Sequence, residues 1–240
     1  MAKLSSLSVF FPAFNEAKNL PTLVEQTFNL LTDIAQKYEV IIVNDGSVDN
    51  TVAVVEKLKA SHPQLRLISH PKNLGYGAAL RTGINHSQYD WVFFSDADLQ
   101  FDIKELTEFL PYTADHKVII GYRISRAEGA RRHLNALLLK VFIDLLFRLH
   151  VKDIDCAFKL FDRKLVQSIK LTSTGAFISS ELLYKLKKKQ VIFKQLPVSH
   201  YQRRFGNPTG ANLKVIIKAG LEMLSLYLSI KWSNLKNLTW

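Results

Sequence analysis

Two aspartates at the end of an apolar run are the residues of this sequence best suited to chemistry. Asp96 and Asp98 follow the large apolar residues at 91–94, within WVFFSDADLQFD. Residues two apart in an extended chain project to the same side, so both carboxylates would face one way. Unless a cation neutralises them or they form a solvated turn, such a pair at the edge of a core is costly. Their hard oxygen ligands suit Mg²⁺ or Mn²⁺ bound together with substrate phosphates.

The elements around this pair predict an α/β layered domain. Apolar strands alternate with amphipathic helices from LSVFFPAFN at 7–15 to KVIIGY at 117–122, and the first predicted helix spans 19–38. Near-continuous apolar strands are typical of a mostly parallel central sheet flanked by helices, in which ligands bind beyond the carboxyl ends of the strands. The predicted strands end in PAFNE, NDGSVDNT, SDADLQ and GYR. One such segment could be an ordinary turn, but four at one edge predict a single site.

Beyond residue 123 the alternation of strands and helices ends, and two long apolar helices are predicted at 126–151 and 209–230. Each has a narrow polar stripe and a wide apolar arc. Basic and Trp residues flank them, which is typical of interfacial helices that lie in a membrane surface. A purely internal role in the core is the alternative.

Composition limits the classes of partner. The chain has 240 residues and a net charge of +11, which implies an anionic partner such as a phosphorylated ligand, an acidic lipid surface or nucleic acid. Basic residues cluster near the apolar helices instead of alternating with aromatics, so we expect no nucleic acid. Cys156 is the only cysteine, which excludes an internal disulfide and predicts a small packed side chain. The sequence has neither a signal-peptide pattern nor about 18 consecutive uncharged apolar residues, so no membrane span is predicted.

Taken together, PAFNE, NDGSVDNT, NLGYGAALRTGI, SDADLQFD, IIGYR, DIDCAFKLF and the segment from GAFISSELL to RRFG resemble the family 2 glycosyltransferases of the GT-A fold. Within that family, they are most similar to dolichol-phosphate mannose synthase-like polyprenyl-phosphate glycosyltransferases. The resemblance implies one GT-A domain over 1–240, with a nucleotide-sugar half at 1–123 and an acceptor and membrane half at 124–240. It implies an inverting, Mn²⁺- or Mg²⁺-dependent transfer from a GDP- or UDP-sugar to a polyprenyl phosphate. The two apolar helices with their basic and Trp flanks, and the lack of a predicted span or signal peptide, predict peripheral attachment to the cytoplasmic face of a membrane, with a cytoplasmic location as the alternative.

The resemblance also assigns residues by position. The residues that it places at the donor are Pro12, Phe14, Glu16, Val43, Asp45, Asp96, Ala97, Asp98, Gln100, Arg123 and Arg203. The metal would be held by Asp96, Asp98 and Gln100. The acceptor phosphate would meet Arg123, Arg131 and Asn135, and the catalytic residues would be Asp96, Asp98 and Arg123. A phosphate dianion is already nucleophilic near neutral pH, so no side-chain general base is expected.

Some positions depart from the family pattern. Phe14 stands where a Tyr is frequent, Asn135 where a Ser is frequent and Ala157 where Gly is usual. Pro208 and Thr209 replace a Ser and a phosphate-binding Lys.

Two other functions are compatible with this fold, and the aspartates and the apolar helices bear on each. A family 2 transferase with a soluble or polysaccharide acceptor would not need the apolar helices, and a catalytically silent scaffold would not need the intact aspartates. The sequence leaves the sugar, the base and the oligomeric state open.

Overall fold

The elements that carry the predicted site are strands of one sheet. A computed structural model describes residues 3–124, 149–206, 219–226 and 228. The strands in these ranges are β1 Leu4–Ala13, β2 Ala35–Asn44, β3 Leu65–Ser69, β4 Trp91–Ser95, β5 Val118–Arg123, β6 Phe158–Asp162 and β7 Lys194–Val198. The helices are α1 Leu20–Ile34, α2 Thr51–Lys59, α3 Tyr76–His86, α4 Arg163–Gln167 and α5 Ile178–Lys188, with a 3-10 helix at Ile103–Ala114. Residues 219–226 are also helical.

The sheet order is β3-β2-β1-β4-β6-β5-β7. The β1–β2, β2–β3, β1–β4 and β5–β7 pairs are parallel, whereas β6 is antiparallel to both β4 and β5. From β1 the chain first adds β2 and β3 on one side of the sheet and then β4 on the other side. Open α/β sheets bind ligands at such a switch point, where the strand order reverses. The predicted α/β class with a mostly parallel sheet is confirmed.

Alternation along the buried strands builds a core on each face of the sheet. Phe11 packs with α1 and the 3-10 helix, while its neighbour Phe10 packs with α3 and α5. Both rings are fully buried. Because helices cover both faces of the sheet, side chains on both sides of each central strand are apolar, which explains the continuous apolar runs in the sequence.

Several predicted boundaries are corrected. The first helix ends at Ile34 and not at 38, because Ala35 already pairs with Leu4 as the first residue of β2. The predicted helix after the aspartates is a 3-10 helix, with the Asp102 side chain accepting a hydrogen bond from the Lys104 amide. Strands β6 and β7 and helices α4 and α5 lie in a part of the chain for which we predicted no strand. Most of the predicted 126–151 helix lies outside the described residues.

The helical residues 219–226, called the C-terminal helix below, direct an acidic side chain toward the protein and leucines away from it. Its Leu221 and Leu224 side chains, with Leu228 beyond, are 63%, 53% and 55% exposed. In contrast, the Glu222 carboxylate points inward and accepts hydrogen bonds from the Thr174 and Gly175 amides at 2.8 and 2.9 Å. The predicted polar stripe therefore faces the protein at Glu222. No helix within the described ranges is long and apolar enough to cross a bilayer.

Helix α3 lies close to β1 because its buried face is made of small residues. A methyl group built on Gly83 would overlap the Phe10 ring. We expect Gly83→Ala to destabilise the fold by about 1 to 3 kcal/mol through overpacking, despite the higher helix propensity of Ala. Urea denaturation measures the change.

Gly220 provides the matched control, since nothing lies within 4 Å of a methyl group built there. Gly220→Ala should leave stability unchanged or raise it by about 0.5 to 1 kcal/mol. Equal effects of the two substitutions would contradict the close packing of α3 on β1.

Candidate active site

The predicted site residues gather at one edge of the sheet. The β1, β2, β4 and β5 strands run in the same direction, so the segments that follow them meet at their carboxyl ends. Strand β6 runs the opposite way and pairs Phe158 with Ser95. The DIDC segment that precedes β6 therefore lies at this edge as well.

One carboxylate oxygen of Asp96, Oδ1, is buried without a hydrogen-bond partner among the described residues. The Tyr76 hydroxyl, in the first turn of α3, hydrogen-bonds the same carboxyl group. Burial and then the charge of Asp98 raise the pKa of Asp96 to about 7, against a usual value of 3.8. Tyr76 counteracts part of this rise, and its own pKa is raised well above the usual range by burial and by Asp96.

Asp98 is paired with a cation. Its Oδ2 atom accepts a hydrogen bond from Arg203 Nη2 at 2.8 Å, and its Oδ1 accepts one from the Gln100 amide at 3.1 Å. The Arg203 Nη1 atom also lies 3.4 Å from Glu16 Oε1. Burial raises the pKa of Glu16, while a hydrogen bond from Asn19 and the charge of Arg203 oppose the rise. One guanidinium thus neutralises carboxylates from two strand ends.

These carboxylates fit a divalent ion shared with substrate. A divalent cation would give the unpartnered Asp96 Oδ1 a ligand and would offset the burial and the Asp98 charge that raise the pKa of Asp96. Across the described ranges, no group of three or more His, Cys, Asp or Glu side chains is placed to hold a metal ion by itself. Mg²⁺ in phosphate-transfer sites is commonly held by one or two carboxylates, and substrate phosphates complete its shell. Asp96 and Asp98 would hold such an ion.

Gln100 is bonded to a different group from the one we predicted. Its Nε2 atom donates a hydrogen bond to the Tyr201 carbonyl at 2.9 Å, and the Tyr201 amide donates to the Gln100 carbonyl at 2.8 Å. Gln100 therefore joins the aspartate loop to the segment that carries Arg203. Its role as a metal ligand stays a prediction.

The loops after β1 and β2 are tied to each other. Asn15, which has a positive φ of 60°, accepts hydrogen bonds from the Val48 and Asp49 amides and donates its own amide proton to Ser47. The Asp49 side chain accepts in turn from the Ala17 amide. These hydrogen bonds hold the two strand-end loops against each other.

Three predicted donor residues are buried beneath these loops. Asp45 accepts from the Leu74 and Gly75 amides at 2.9 Å and hydrogen-bonds His70 Nδ1 at 2.7 Å, so its side chain holds the start of α3. Val43 is fully buried in the core and pairs with the buried Pro12. Val43 can therefore meet a donor only through its backbone.

Arg123 is fixed by a partner that we did not predict. Its Nε and Nη2 atoms donate to the two oxygens of Asp153 at 2.7 and 2.9 Å. Burial lowers the pKa of Arg123, but the hydrogen bonds and charge of Asp153 outweigh this and the net shift is upward. Arg123 also lies near enough for its charge to lower the pKa of Asp96. Arg123 thus lies at the same edge of the sheet as the carboxylate pair, with strand β6 between β5 and β4.

The remaining predicted residues divide into two groups. Ala97 is buried and Phe14 is half-buried at the same edge. Arg131 and Asn135, with Pro208 and Thr209, lie outside the described residues. Their roles stay predictions.

Tyr76 and Asp153 are the polar residues that we did not assign to the site. Both lie in motifs that we singled out, NLGYGAALRTGI and DIDCAFKLF. A Tyr in an amphipathic helix is usually a core residue, and only the meeting of α3 with the end of β4 brings its hydroxyl to Asp96.

Comparison with characterised proteins gives relatives that act on lipid phosphates. The chain is 34% identical to the dolichyl-phosphate beta-glucosyltransferase ALG5C of Trichomonas vaginalis over 64% of this chain and 50% of the relative. It is 26% identical to the undecaprenyl-phosphate 4-deoxy-4-formamido-L-arabinose transferase of Pectobacterium carotovorum, over 89% of this chain and 65% of that protein. The chain spans about half the length of the first of these relatives.

Solved structures share the fold at low identity. The glucosyl-3-phosphoglycerate synthase of Mycobacterium tuberculosis in complex with uridine diphosphate matches with a TM-score of 0.66 and 18% identity, over 90% of this chain and 79% of that chain. The same enzyme with Mn²⁺ and uridine-diphosphate-glucose gives a TM-score of 0.64, over 92% and 78% of the two chains, also at 18% identity. The predicted GT-A fold is confirmed.

The profile of glycosyl transferase family 2 matches residues 8–170. This range runs from the middle of β1 past α4, and it contains the aspartate pair, Tyr76, Arg123 and Asp153. The chain therefore belongs to glycosyl transferase family 2.

Proposed function

We propose that this chain transfers a sugar, with inversion, from a nucleotide-sugar to a polyprenyl phosphate in a reaction that depends on Mn²⁺ or Mg²⁺. The observation that carries the proposal is the carboxylate pair, with an unpartnered buried oxygen on Asp96 and arginines from two other segments nearby. Two anions and a cation would be held there together. The names of the relatives, a dolichyl-phosphate and an undecaprenyl-phosphate transferase, support the same acceptor class.

The carboxylates and Arg203 would act on the donor. A divalent ion held by Asp96 and Asp98 would supply a Lewis acid that neutralises the leaving diphosphate. Arg203 donates a hydrogen bond to Asp98, and its guanidinium can exchange that carboxylate for a phosphate because both groups accept hydrogen bonds from its planar fork. Donor binding and the release of Asp98 from Arg203 would then be coupled.

The acceptor side requires positioning more than proton transfer. A phosphate dianion attacks the anomeric carbon without a general base, so the protein must hold two anions in line and neutralise their repulsion. Arg123 would meet the acceptor phosphate. Its location at the same sheet edge as the aspartates, one strand away from them, supports this assignment, because the nucleophile must approach the sugar carbon from which the diphosphate leaves.

A membrane surface would present the lipid acceptor. The outward leucines of the C-terminal helix, Leu221, Leu224 and Leu228, form an exposed apolar surface on the side opposite Glu222. A net charge of +11 would add attraction to anionic lipids. This surface supports peripheral attachment, and the cytoplasmic face stays a prediction.

The function is tested by offering the protein several sugar donors and two different acceptors. Purified protein with Mn²⁺ or Mg²⁺ is incubated with a panel of GDP- and UDP-sugars and either a polyprenyl phosphate or 3-phosphoglycerate. A lipid-linked product supports the proposal and identifies the donor. Transfer only to the soluble phosphate would favour the rival with a soluble acceptor, and no transfer to any acceptor would favour the silent scaffold.

The pKa of Asp96 predicts how Mn²⁺ stabilises the protein at different pH. In the metal-free fold this pKa lies near 7, above its usual 3.8, so the folded state binds more protons and its stability falls as pH rises between these values. Mn²⁺ requires the carboxylate, so the rise in melting temperature that it causes should be small at about pH 5.5 and full above about pH 8. Thermal melts with and without Mn²⁺ across this range measure it.

Two variants accompany these melts. Asp96→Asn should lose both the Mn²⁺ effect and its pH dependence. Asp115→Asn changes an exposed aspartate before β5, at the opposite edge of the sheet, and should keep both. An Asp96→Asn variant that is still stabilised by Mn²⁺ in the same way would rule out Asp96 as a metal ligand.

Removing the Arg203 side chain should weaken nucleoside diphosphate binding, whereas removing that of its neighbour Arg204 should not. Removing a guanidinium that binds a diphosphate costs about 1.5 to 3 kcal/mol, so Arg203→Ala should weaken nucleoside diphosphate binding roughly ten- to a hundredfold. Isothermal titration with Mn²⁺ present measures this affinity. Arg204→Ala is the control, since Arg204 is exposed at the next position. If both variants bind the diphosphate as the wild type does, Arg203 serves only as the partner of Asp98 and Glu16.

The outward leucines should carry membrane binding. Burying one Leu side chain contributes about 1.5 to 3 kcal/mol, so Leu221→Asp with Leu224→Asp should lower the partition onto anionic liposomes at least about tenfold. Nucleoside diphosphate binding should be unchanged, because these side chains point away from the core. Flotation measures the partition.

Ile192→Asp is the control for that experiment. Ile192 is 76% exposed and lies outside the C-terminal helix. If the leucine pair and Ile192 give the same flotation as the wild type, the C-terminal helix is not the attachment surface.

A further inference from the structure

The guanidinium of Arg123 is held along one edge. Nε and one Nη2 hydrogen are used by the two oxygens of Asp153, and the Arg123 backbone amide donates to the same carboxylate at 3.3 Å. Both side chains are largely buried, at 10% and 5% exposure. A bidentate pair fixes the plane of the guanidinium as well as its position. The Nη1 hydrogens and the second Nη2 hydrogen are directed away from Asp153.

The segment that carries Asp153 is itself held by a buried cation. Lys159 is fully buried, and its Nζ atom donates to the carbonyls of Ile154, at 3.1 Å, and of Cys156. The Phe94 ring lies 5.6 Å from the same nitrogen. Lys159 thereby closes the backbone of 154–156 into a fixed turn directly after Asp153.

Lys159 lies in the sheet between the strand that leads to Asp96 and the strand that leads to Arg123. In β6 it pairs with Phe94 of β4 and with Ile120 of β5. Two residues beyond Phe94 is Asp96, and three beyond Ile120 is Arg123. The ammonium also acts on Asp96, whose pKa it lowers.

A charge in this place is costly if it only fills space. Burial lowers the pKa of Lys159, which reflects the loss of hydration of the ammonium. A side chain of similar length without charge, such as Met, would occupy the same core next to Phe94 without that cost. The cost is consistent with a role for the cation in holding the turn that carries Asp153.

We infer that Asp153 and Lys159 are positioning residues for the reaction. Lys159 fixes the 154–156 turn, and Asp153, directly before that turn, aims Arg123 at the acceptor phosphate. The inference rests on the proposed function for the identity of that phosphate. The placement of Arg123 itself is independent of it and is measurable without turnover.

The first experiment observes the Arg123 side chain directly. In ¹⁵N NMR spectra of the full chain, Nε–H of Arg123 should exchange slowly with water because a buried carboxylate accepts it, and its signal is identified by its loss in Arg123→Lys. Asp153→Asn and Lys159→Met should each speed this exchange by about tenfold or more, as expected for the loss or misplacement of a charge-assisted hydrogen bond. Inorganic phosphate should shift the signal in the wild type and shift it less in both variants.

The second experiment is a kinetic cycle with polyprenyl phosphate. If Asp153 acts through Arg123, Asp153→Asn lowers the same kinetic parameter as Arg123→Ala, and the double variant is no worse than Arg123→Ala alone within about twofold. Lys159→Met should behave in the same way. Glu39→Gln is the matched control, because Glu39 is a buried carboxylate in the middle of β2 that is paired with Arg66, and its loss should lower stability without changing these parameters.

The outcomes separate the inference from the function. Absence of lipid transfer by the wild type overturns the proposed function, while the NMR exchange still decides whether Asp153 and Lys159 place Arg123. Unchanged Nε–H exchange in both variants, or losses that multiply in the double variant, would overturn the inference. If Lys159→Met does not fold, Asp153→Asn decides alone.

Discussion

The repulsion between Asp96 and Asp98 at the end of β4 is the constraint to which the rest of the site responds. Burial of Asp96 is the larger cause of the rise in its pKa to about 7, and the charge of Asp98 adds to it. Arg203 neutralises Asp98, the Tyr76 hydroxyl satisfies part of Asp96, and one Asp96 oxygen has no partner among the described residues. Each of these groups comes from a different segment, so the site exists only when the sheet and its loops are assembled.

The reversed strand β6 explains how a mostly parallel sheet supplies both halves of such a site. A strand that ran parallel to β4 would begin at the far edge of the sheet, whereas β6 begins at the carboxyl edge and delivers the DIDC segment there. It also separates β4 from β5, so the aspartates and Arg123 are not adjacent strand ends but flank one strand. Lys159 lies in that strand with its charge turned back toward the turn before it.

The sequence allowed the class of fold, the first strands and the meeting of the strand-end motifs to be predicted, because apolar periodicity and the polar ends of PAFNE, NDGSVDNT and SDADLQ depend on local order. It did not allow β6 to be predicted, since FKLFD is short and its direction is decided by pairing with β4 and β5. The same limit applies to Asp45. The resemblance to the family assigned Asp45 to the donor, and only the tertiary contacts with His70 and the start of α3 show how its oxygens are used.

Glu222, which faces the protein, links the helix that carries the exposed leucines to the residues around Asp96 through hydrogen bonds. It binds the amides of Thr174 and Gly175, the Thr174 carbonyl accepts from the Gly77 amide at 2.9 Å, and the residue before Gly77 is Tyr76, which bonds Asp96. A methyl group on Gly77 would meet the backbone of this turn, so the contact is close. The helix therefore has two separate faces: the leucine face can be altered without touching the turn, whereas any change at Glu222 reaches the start of α3. Under the proposed function, membrane attachment would be separable from catalysis on the leucine face of this helix and linked to it on the Glu222 face.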